Sequence, residues 1–273
     1  MPGESIGTAD AGNIRLAYGR AGSGPSVVFI HAGITDRRMW DTQVEAFSID
    51  FTAVRYDMRG FGESEMVDEG FSHQADLIAL FDALGMDEVA LVGCSIGAAV
   101  ALEAAIEQPS RVAALVLIGA GTPGVVPEDG YYEPPQDEAA VAAFEAGELD
   151  RAAALETEIW VGGYGRSVDD VPASIREAVF EMDRKALETE TRRNEHQRWP
   201  DPGSATRLDE VRCPTLLLVG ANDLPDIVWG ARYLAANIAN AAHVVVPDAA
   251  HLPNMEHPAV FNQTVLAFLQ SYL

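Results

Sequence analysis

Cysteine is nearly absent. Cys94 and Cys213 are the only two in 273 residues, too few for the disulfide framework of a secreted domain, so a reducing cytoplasm is the expected location. Basic residues are scarce too. Lys and Arg number 18 against 42 Asp and Glu, a formal net charge of −24, and that sign repels nucleic acid and anionic membranes at long range. Such an acidic surface needs no specific partner; solubility or salt adaptation explains it more simply. Long apolar runs are also missing. No stretch approaches the roughly 18 residues of a membrane span, and residues 1–7 carry neither a basic leader nor an apolar export segment.

What is present is the balance of an ordinary globular chain, 48% hydrophobic and 22% charged, of a length that suits one large core with an inserted subdomain. Short β-branched runs at 26–30, 51–56, 89–93, 113–118, 215–219 and 243–246 read as strands. Between them, 36–48, 72–84, 96–108, 226–239 and 258–272 repeat apolar residues at three and four positions, as helices covering a sheet do. Alternating strand and helix predicts an α/β fold with a mostly parallel sheet covered on both faces. The opening segment differs: 5–8 and 14–19 flank a polar, Gly-containing turn, which predicts an antiparallel edge hairpin.

After Ile118 the strand rhythm stops for roughly ninety residues, too long for a loop in a compact domain. Residues 122–206 therefore read as a helical cap, with 1–121 and 207–273 forming the core. Within it, 137–160 and 174–199 are helical in pattern, with Glu181/Lys185 and Glu188/Arg192 spaced as i,i+4 pairs.

The strand ending at Val92 runs through Gly93-Cys94-Ser95-Ile96-Gly97 straight into an alanine-rich helix. A serine on so tight a strand-to-helix turn sits at a strained backbone position, and glycines two residues either side remove colliding side chains. Its hydroxyl is a weak nucleophile until a base takes the proton. Among six histidines, His251 follows the last strand in Pro247-Asp248-Ala249-Ala250-His251, where a loop can carry the ring over the sheet. His257, His73, His196 and His243 read as structural. The base needs an acid to fix its tautomer, and Asp223, after the strand 216–219, completes the order Ser, Asp, His. Asp226 more plausibly opens a helix, and Asp248 is too near His251 to reach behind its ring.

These motifs resemble the α/β-hydrolase superfamily over nearly the whole chain outside the cap. Phe29-Ile30-His31-Ala32-Gly33 is similar to the family's His-Gly oxyanion strand, and Asp57-Met58-Arg59-Gly60-Phe61-Gly62-Glu63-Ser64 to its D-x-R-G-x-G-x-S turn; Trp40 stands in its usual place. The resemblance implies an oxyanion hole made by the backbone N–H groups of Ile96 and Gly33, with Ala32 replacing the family's usual glycine and His31 bracing the loop. A serine nucleophile separates the chain from the aspartate-using dehalogenases and epoxide hydrolases. Esterase, lactonase, meta-cleavage C–C hydrolase and perhydrolase chemistry remain, with most similarity to the 3-oxoadipate enol-lactonase-like branch, alongside a small-molecule receptor of the same fold. No cofactor or metal is implied, and the expected partner is a small-molecule substrate.

The cap supplies Tyr131, Tyr132, Phe144, Trp160, Tyr164, Phe180 and Trp199. Trp160, Tyr164 and Tyr131 are the candidate pocket residues, although any one ring could equally glue cap to core. The cap arginines, Arg166, Arg176, Arg184, Arg192, Arg193 and Arg198, read as a solvated face given the Glu188/Arg192 spacing. An aromatic pocket without inward cations favours neutral substrates.

Overall fold

The apolar runs pair into one eight-stranded sheet in the computed structural model, which describes residues 3–122, 125–128 and 130–273. The strands are β1 (Ser5–Ala11), β2 (Ile14–Ala21), β3 (Ser26–Ile30), β4 (Thr52–Tyr56), β5 (Val89–Cys94), β6 (Val112–Ile118), β7 (Thr215–Gly220) and β8 (Ala241–Val246). They lie in the order β1-β2-β4-β3-β5-β6-β7-β8. The first hairpin is antiparallel, as its polar turn requires, and β2 also joins β4 antiparallel; every pairing from β4 to β8 is parallel.

Every residue of β4, β5 and β7 is buried, because helices cover both faces. Helices α1 (Asp41–Phe47), α2 (His73–Leu84) and α3 (Ile96–Glu107) fall in the first half of the chain. Between β6 and β7 come α4 (Asp137–Glu145), α5 (Leu149–Thr157), α6 (Ala173–Ala186) and α7 (Glu190–His196). Last are α8 (Pro225–Asn237), α9 (Pro253–Glu256) and α10 (Pro258–Leu269). Alternate residues of β5 enter different cores. Leu91 packs with Leu77, Phe81, Val100 and Leu234 from α2, α3 and α8, while Ala90 and Val92 pack with Val44, Phe47, Phe261 and Val265 from α1 and α10. Among the described residues no helix is long and apolar enough to cross a membrane.

The segment between β6 and β7 departs from the sequence reading in detail. Neither 137–160 nor 174–199 is one helix. Gly147, at φ 75°, ends the first after α4, and its N–H bonds to Phe144 O; a wider turn over 158–162 then follows α5. A tighter turn at 187–189 separates α6 from α7. That break shifts the helical phase, so Glu188 accepts from Arg184 rather than Arg192, and Arg192 reaches Asp68 instead.

Candidate active site

The parallel strands end on one side of the sheet, and β5 delivers Ser95 there. Its backbone sits at φ 56°, ψ −119°, a conformation that costs a side-chain-bearing residue about 1–3 kcal/mol. Hydrogen bonds hold it: Ser95 N–H donates to Ile118 O at 2.8 Å, and Ser95 O accepts from Ala98 N–H at 2.9 Å. A side chain on Gly93 would strike the Gly97 carbonyl. One on Gly97 would lie 2.5 Å from Ile30 O and 2.6 Å from His31 O. Both glycines are therefore steric requirements of the turn, and Ile96 becomes the first residue of α3, with an N–H that no helical carbonyl can reach.

Asp223 and His251 meet beyond the ends of β7 and β8. Both are buried, with Asp223 Oδ2 2.9 Å and Oδ1 3.0 Å from His251 Nδ1. Asp223 Oδ1 also accepts the Leu224 N–H at 2.8 Å. With Nδ1 donating to a carboxylate, the imidazole keeps Nε2 as its free acceptor. Gly119, at φ 53°, makes room for the pair, since a Cβ there would lie 3.0 Å from the ring. The Trp160 ring packs 4.5 Å from the imidazole, centroid to centroid. Arg166 ties this neighbourhood together: it pairs with Glu256 at 2.8 Å and donates to Val161 O and Asp248 O, both at 2.7 Å. Glu256 in turn accepts the Ala250 N–H at 2.8 Å, next to His251. Asp226 opens α8 and Asp248 offers only its carbonyl to Arg166 and His257; among the described residues neither carboxylate bonds to His251. Ser95 and His251 line the same cavity, without a hydrogen bond between them among the described residues. Such links are often long before substrate binds.

Gly33 and Ile96 flank that serine. A Cβ on Gly33 would stand 3.7 Å from Ile96 Cγ2, both residues line the cavity, and neither N–H donates to another described residue. The loop bearing Gly33 is held from below by His31, which is fully buried. Its Nδ1 lies 2.8 Å from Ala32 O, its Nε2 accepts the Met58 N–H at 3.0 Å, and its ring meets Phe61 edge-on. Burial lowers the His31 pKa, favouring the neutral form that this pattern needs. Asp57 anchors the neighbouring turn, accepting from Arg37 N–H and Glu63 N–H at 2.8 Å each and from the Arg37 guanidinium. Trp40 is buried between Phe29 and Phe261.

Two cavities meet at Ser95 and Ile96. The larger, about 500 Å³, is walled by Ala99, Gly119, Trp199 and Ile227, and its one ionisable residue among those described is Glu103. Glu103 Oε1 accepts the Ser204 N–H at 2.6 Å, while Oε2 is buried without a partner among the described residues. The smaller, about 250 Å³, is lined by Gly33, Phe61, Trp160 and His251 and also by Glu156, Asp183, Glu190 and Arg193.

Trp160 thus stands where the sequence reading expects it, but Tyr164 and Tyr131 do not. Gly163, at φ 73°, turns the chain away, and Tyr164 packs half-exposed against Tyr132 while exchanging hydrogen bonds with Asn222. Tyr131, also half-exposed, lines a separate groove with Trp229. The arginine reading needs correction as well. Arg193 is buried, its guanidinium 3.9 Å from the centre of the Phe61 ring, and it donates to Ala186 O at 2.6 Å and Gly60 O at 3.2 Å. Burial lowers it to about 10.

The sequence reading missed Asp183, Glu156 and Glu103. Burial, reinforced by Glu156 and Glu190, raises the Asp183 carboxyl to about 9, and burial beside Glu190 and Asp137 raises Glu156 to about 7. A signal existed. Asp183 falls in helical phase with Val179, Met182 and Ala186, the buried face of α6, and Glu103 interrupts the buried alanine face of α3. An acid at the buried phase of a helix is costly unless something compensates it.

A family model described as the alpha/beta hydrolase family matches residues 27–264. The chain is 24% identical over 250 residues to 3-oxoadipate enol-lactonase 1 of Acinetobacter baylyi, covering 90% of this chain and 89% of that protein. It is 27% identical over 277 residues to 2-hydroxy-6-oxo-6-phenylhexa-2,4-dienoate hydrolase of Burkholderia cepacia, covering 94% and 92%. Its fold matches the enol-lactonase of Burkholderia xenovorans with a TM-score of 0.78 at 24% identity, covering 97% of this chain and 100% of that one. With the strand order and the match over most of its length, the chain belongs to the alpha/beta hydrolase family, and within it is similar to enol-lactonases.

Proposed function

We propose that the protein cleaves a small carboxylic ester or lactone through an acyl-enzyme on Ser95. The observation that carries this reading is the strained Ser95 turn facing one cavity with the buried His251–Asp223 pair. In the first half-reaction Ser95 Oγ attacks the carbonyl carbon while His251 Nε2 takes the hydroxyl proton. Asp223 stays ionised, holds the imidazole tautomer and stabilises the imidazolium. The Ile96 and Gly33 N–H groups bind the oxyanion, and such donors are often the largest single source of rate enhancement. Collapse of the tetrahedral intermediate breaks the bond to the alcohol oxygen, which leaves with the proton from His251. A water activated by the same base then releases the acid and restores the serine.

Residues 122–206 act as a cap in this account, with Trp160 as pocket wall, and the enzyme works in the cytoplasm without a cofactor. The resemblance to an enol-lactonase supports a cyclic ester among its substrates. A second reading, an anionic enol-lactone or dienoate, is favoured by the inward Arg193. Against it stand three carboxyl side chains on the same wall, which leave little net positive field for a carboxylate.

Kinetics on p-nitrophenyl butyrate test the assignment. Ser95→Ala and His251→Ala should each lose about three orders of magnitude in kcat, with Asp223→Asn losing as much or less. Most of the activity surviving in pure Ser95→Ala would refute the nucleophile. A crippled Asp226→Asn beside a mild Asp223→Asn would reassign the acid.

A further inference from the structure

We infer that the acid-lined end of the Ser95 cavity is a subsite for an ammonium group carried on the substrate. The inference rests on the hydrolase reading above and narrows its substrate class. Three carboxyl side chains from different helices, Glu156, Asp183 and Glu190, face one guanidinium, that of Arg193. One nitrogen of that guanidinium is held by the backbone and a hydroxyl. Its Nη1 donates to Gly60 O, Ala186 O and Thr189 Oγ1, its plane lies over Phe61, and it makes no ion pair among the described residues. Three carboxyl side chains thus share the charge of one guanidinium.

Asp183 is the most telling of them. It is 2% exposed, lines the cavity, and its Oδ2 has no hydrogen-bond partner among the described residues. Leaving a buried acceptor unpaired costs about 1–3 kcal/mol, and a donor on a ligand entering the cavity would remove that cost. Among the described residues no three His, Cys, Asp or Glu side chains stand close enough to share a metal ion. A larger cation whose several N–H groups reach separated oxygens suits the spread better. Phe61 and Trp160, which line the same cavity, offer apolar contact to the methylenes linking such a group to the scissile carbonyl. The raised Asp183 and Glu156 carboxyls agree with this arrangement, since burial and crowding of like charge oppose their ionisation and an added cation would relieve both.

Three p-nitrophenyl esters of matched length test the subsite: the 6-aminohexanoate, the heptanoate and the pimelate monoester, which end in ammonium, methyl and carboxylate. The ammonium ester should exceed the heptanoate in kcat/KM by about tenfold or more, and the pimelate should be poorest. In Asp183→Asn the ammonium-to-methyl ratio should fall to near one. It should persist in Glu145→Gln, which removes an exposed charge elsewhere in the same segment and so controls for attraction by the whole acidic protein. Equal kcat/KM for all three esters, or preference for the pimelate, would overturn the subsite while leaving Ser95-dependent hydrolysis intact. Binding of n-hexylammonium, measured by calorimetry against 1-hexanol, needs no turnover. Tighter binding of the cation, lost in Asp183→Asn, supports the subsite even if the esters prove poor substrates; no difference between the two ligands contradicts it.

Discussion

Asp183 sits in an environment that opposes its usual charge, and this has a consequence for stability. Its carboxyl is held up to about 9 and that of Glu156 to about 7, against ordinary values near 4. From about pH 4 upward the unfolded chain has released protons that the folded chain still binds. Stability is therefore fullest at the acid end of this window and falls as pH climbs through about 7 and about 9. Urea unfolding at pH 6 and pH 9 should show a lower midpoint at pH 9, and a smaller drop in Asp183→Asn. Equal drops in the two proteins would mean that Asp183 is already ionised in the folded state. At this scale legibility was uneven. Ser95, Asp223 and His251 each follow a strand within a few residues, so a local pattern reveals them. Asp183 and Arg193 acquire meaning from neighbours far away in sequence, such as Phe61, and spacing along one helix cannot reveal that.

The junction of β5 and α3 depends on how closely the helix approaches β3. Gly97 packs against the carbonyls of Ile30 and His31, backbone atoms that cannot rotate aside. Gly97→Val should consequently destabilise the protein by about 1–3 kcal/mol or more, and displace Ser95 and Ile96 with it. An unchanged urea midpoint together with normal esterase activity would show that α3 does not need this contact. Strands β2 to β8 were legible to within a residue or two, because β-branched runs bounded by turn residues have few alternatives in a buried sheet, whereas β1 runs three residues beyond its reading, to Ala11. The helices between β6 and β7 were less so. Gly147 lies inside an otherwise helical pattern, and its left-handed conformation is selected by the packing of α4 against α5, a tertiary effect that periodicity does not register. The break at 187–189 carries no proline or glycine at all, yet it decides that Arg193 faces inward while Arg192 pairs with Asp68 outside.

Over the whole molecule, the alternation of strand and helix made the parallel sheet readable, since each helix must return the chain to the same edge direction. The strand ends then gather on one side whatever the loops between them, which is why the candidate site could be assembled from residues more than a hundred positions apart. The interior of the cavity could not. It is built where the strand ends meet the helices between β6 and β7, and the net charge of −24 gave no hint that some of the acids line the cavity of the serine rather than spread on the surface. The proposed hydrolysis depends above all on Ser95 as the covalent nucleophile. The most direct measurement is intact-protein and peptide mass spectrometry after reaction with diethyl p-nitrophenyl phosphate, in which a serine oxygen–phosphorus bond forms and p-nitrophenolate leaves. One diethylphosphoryl group per chain is expected, located on the peptide containing Ser95, absent in Ser95→Ala and formed much more slowly in His251→Ala. A protein that hydrolyses esters while Ser95 stays unmodified, or a Ser95→Ala protein that still takes up the label at the wild-type rate, would contradict it.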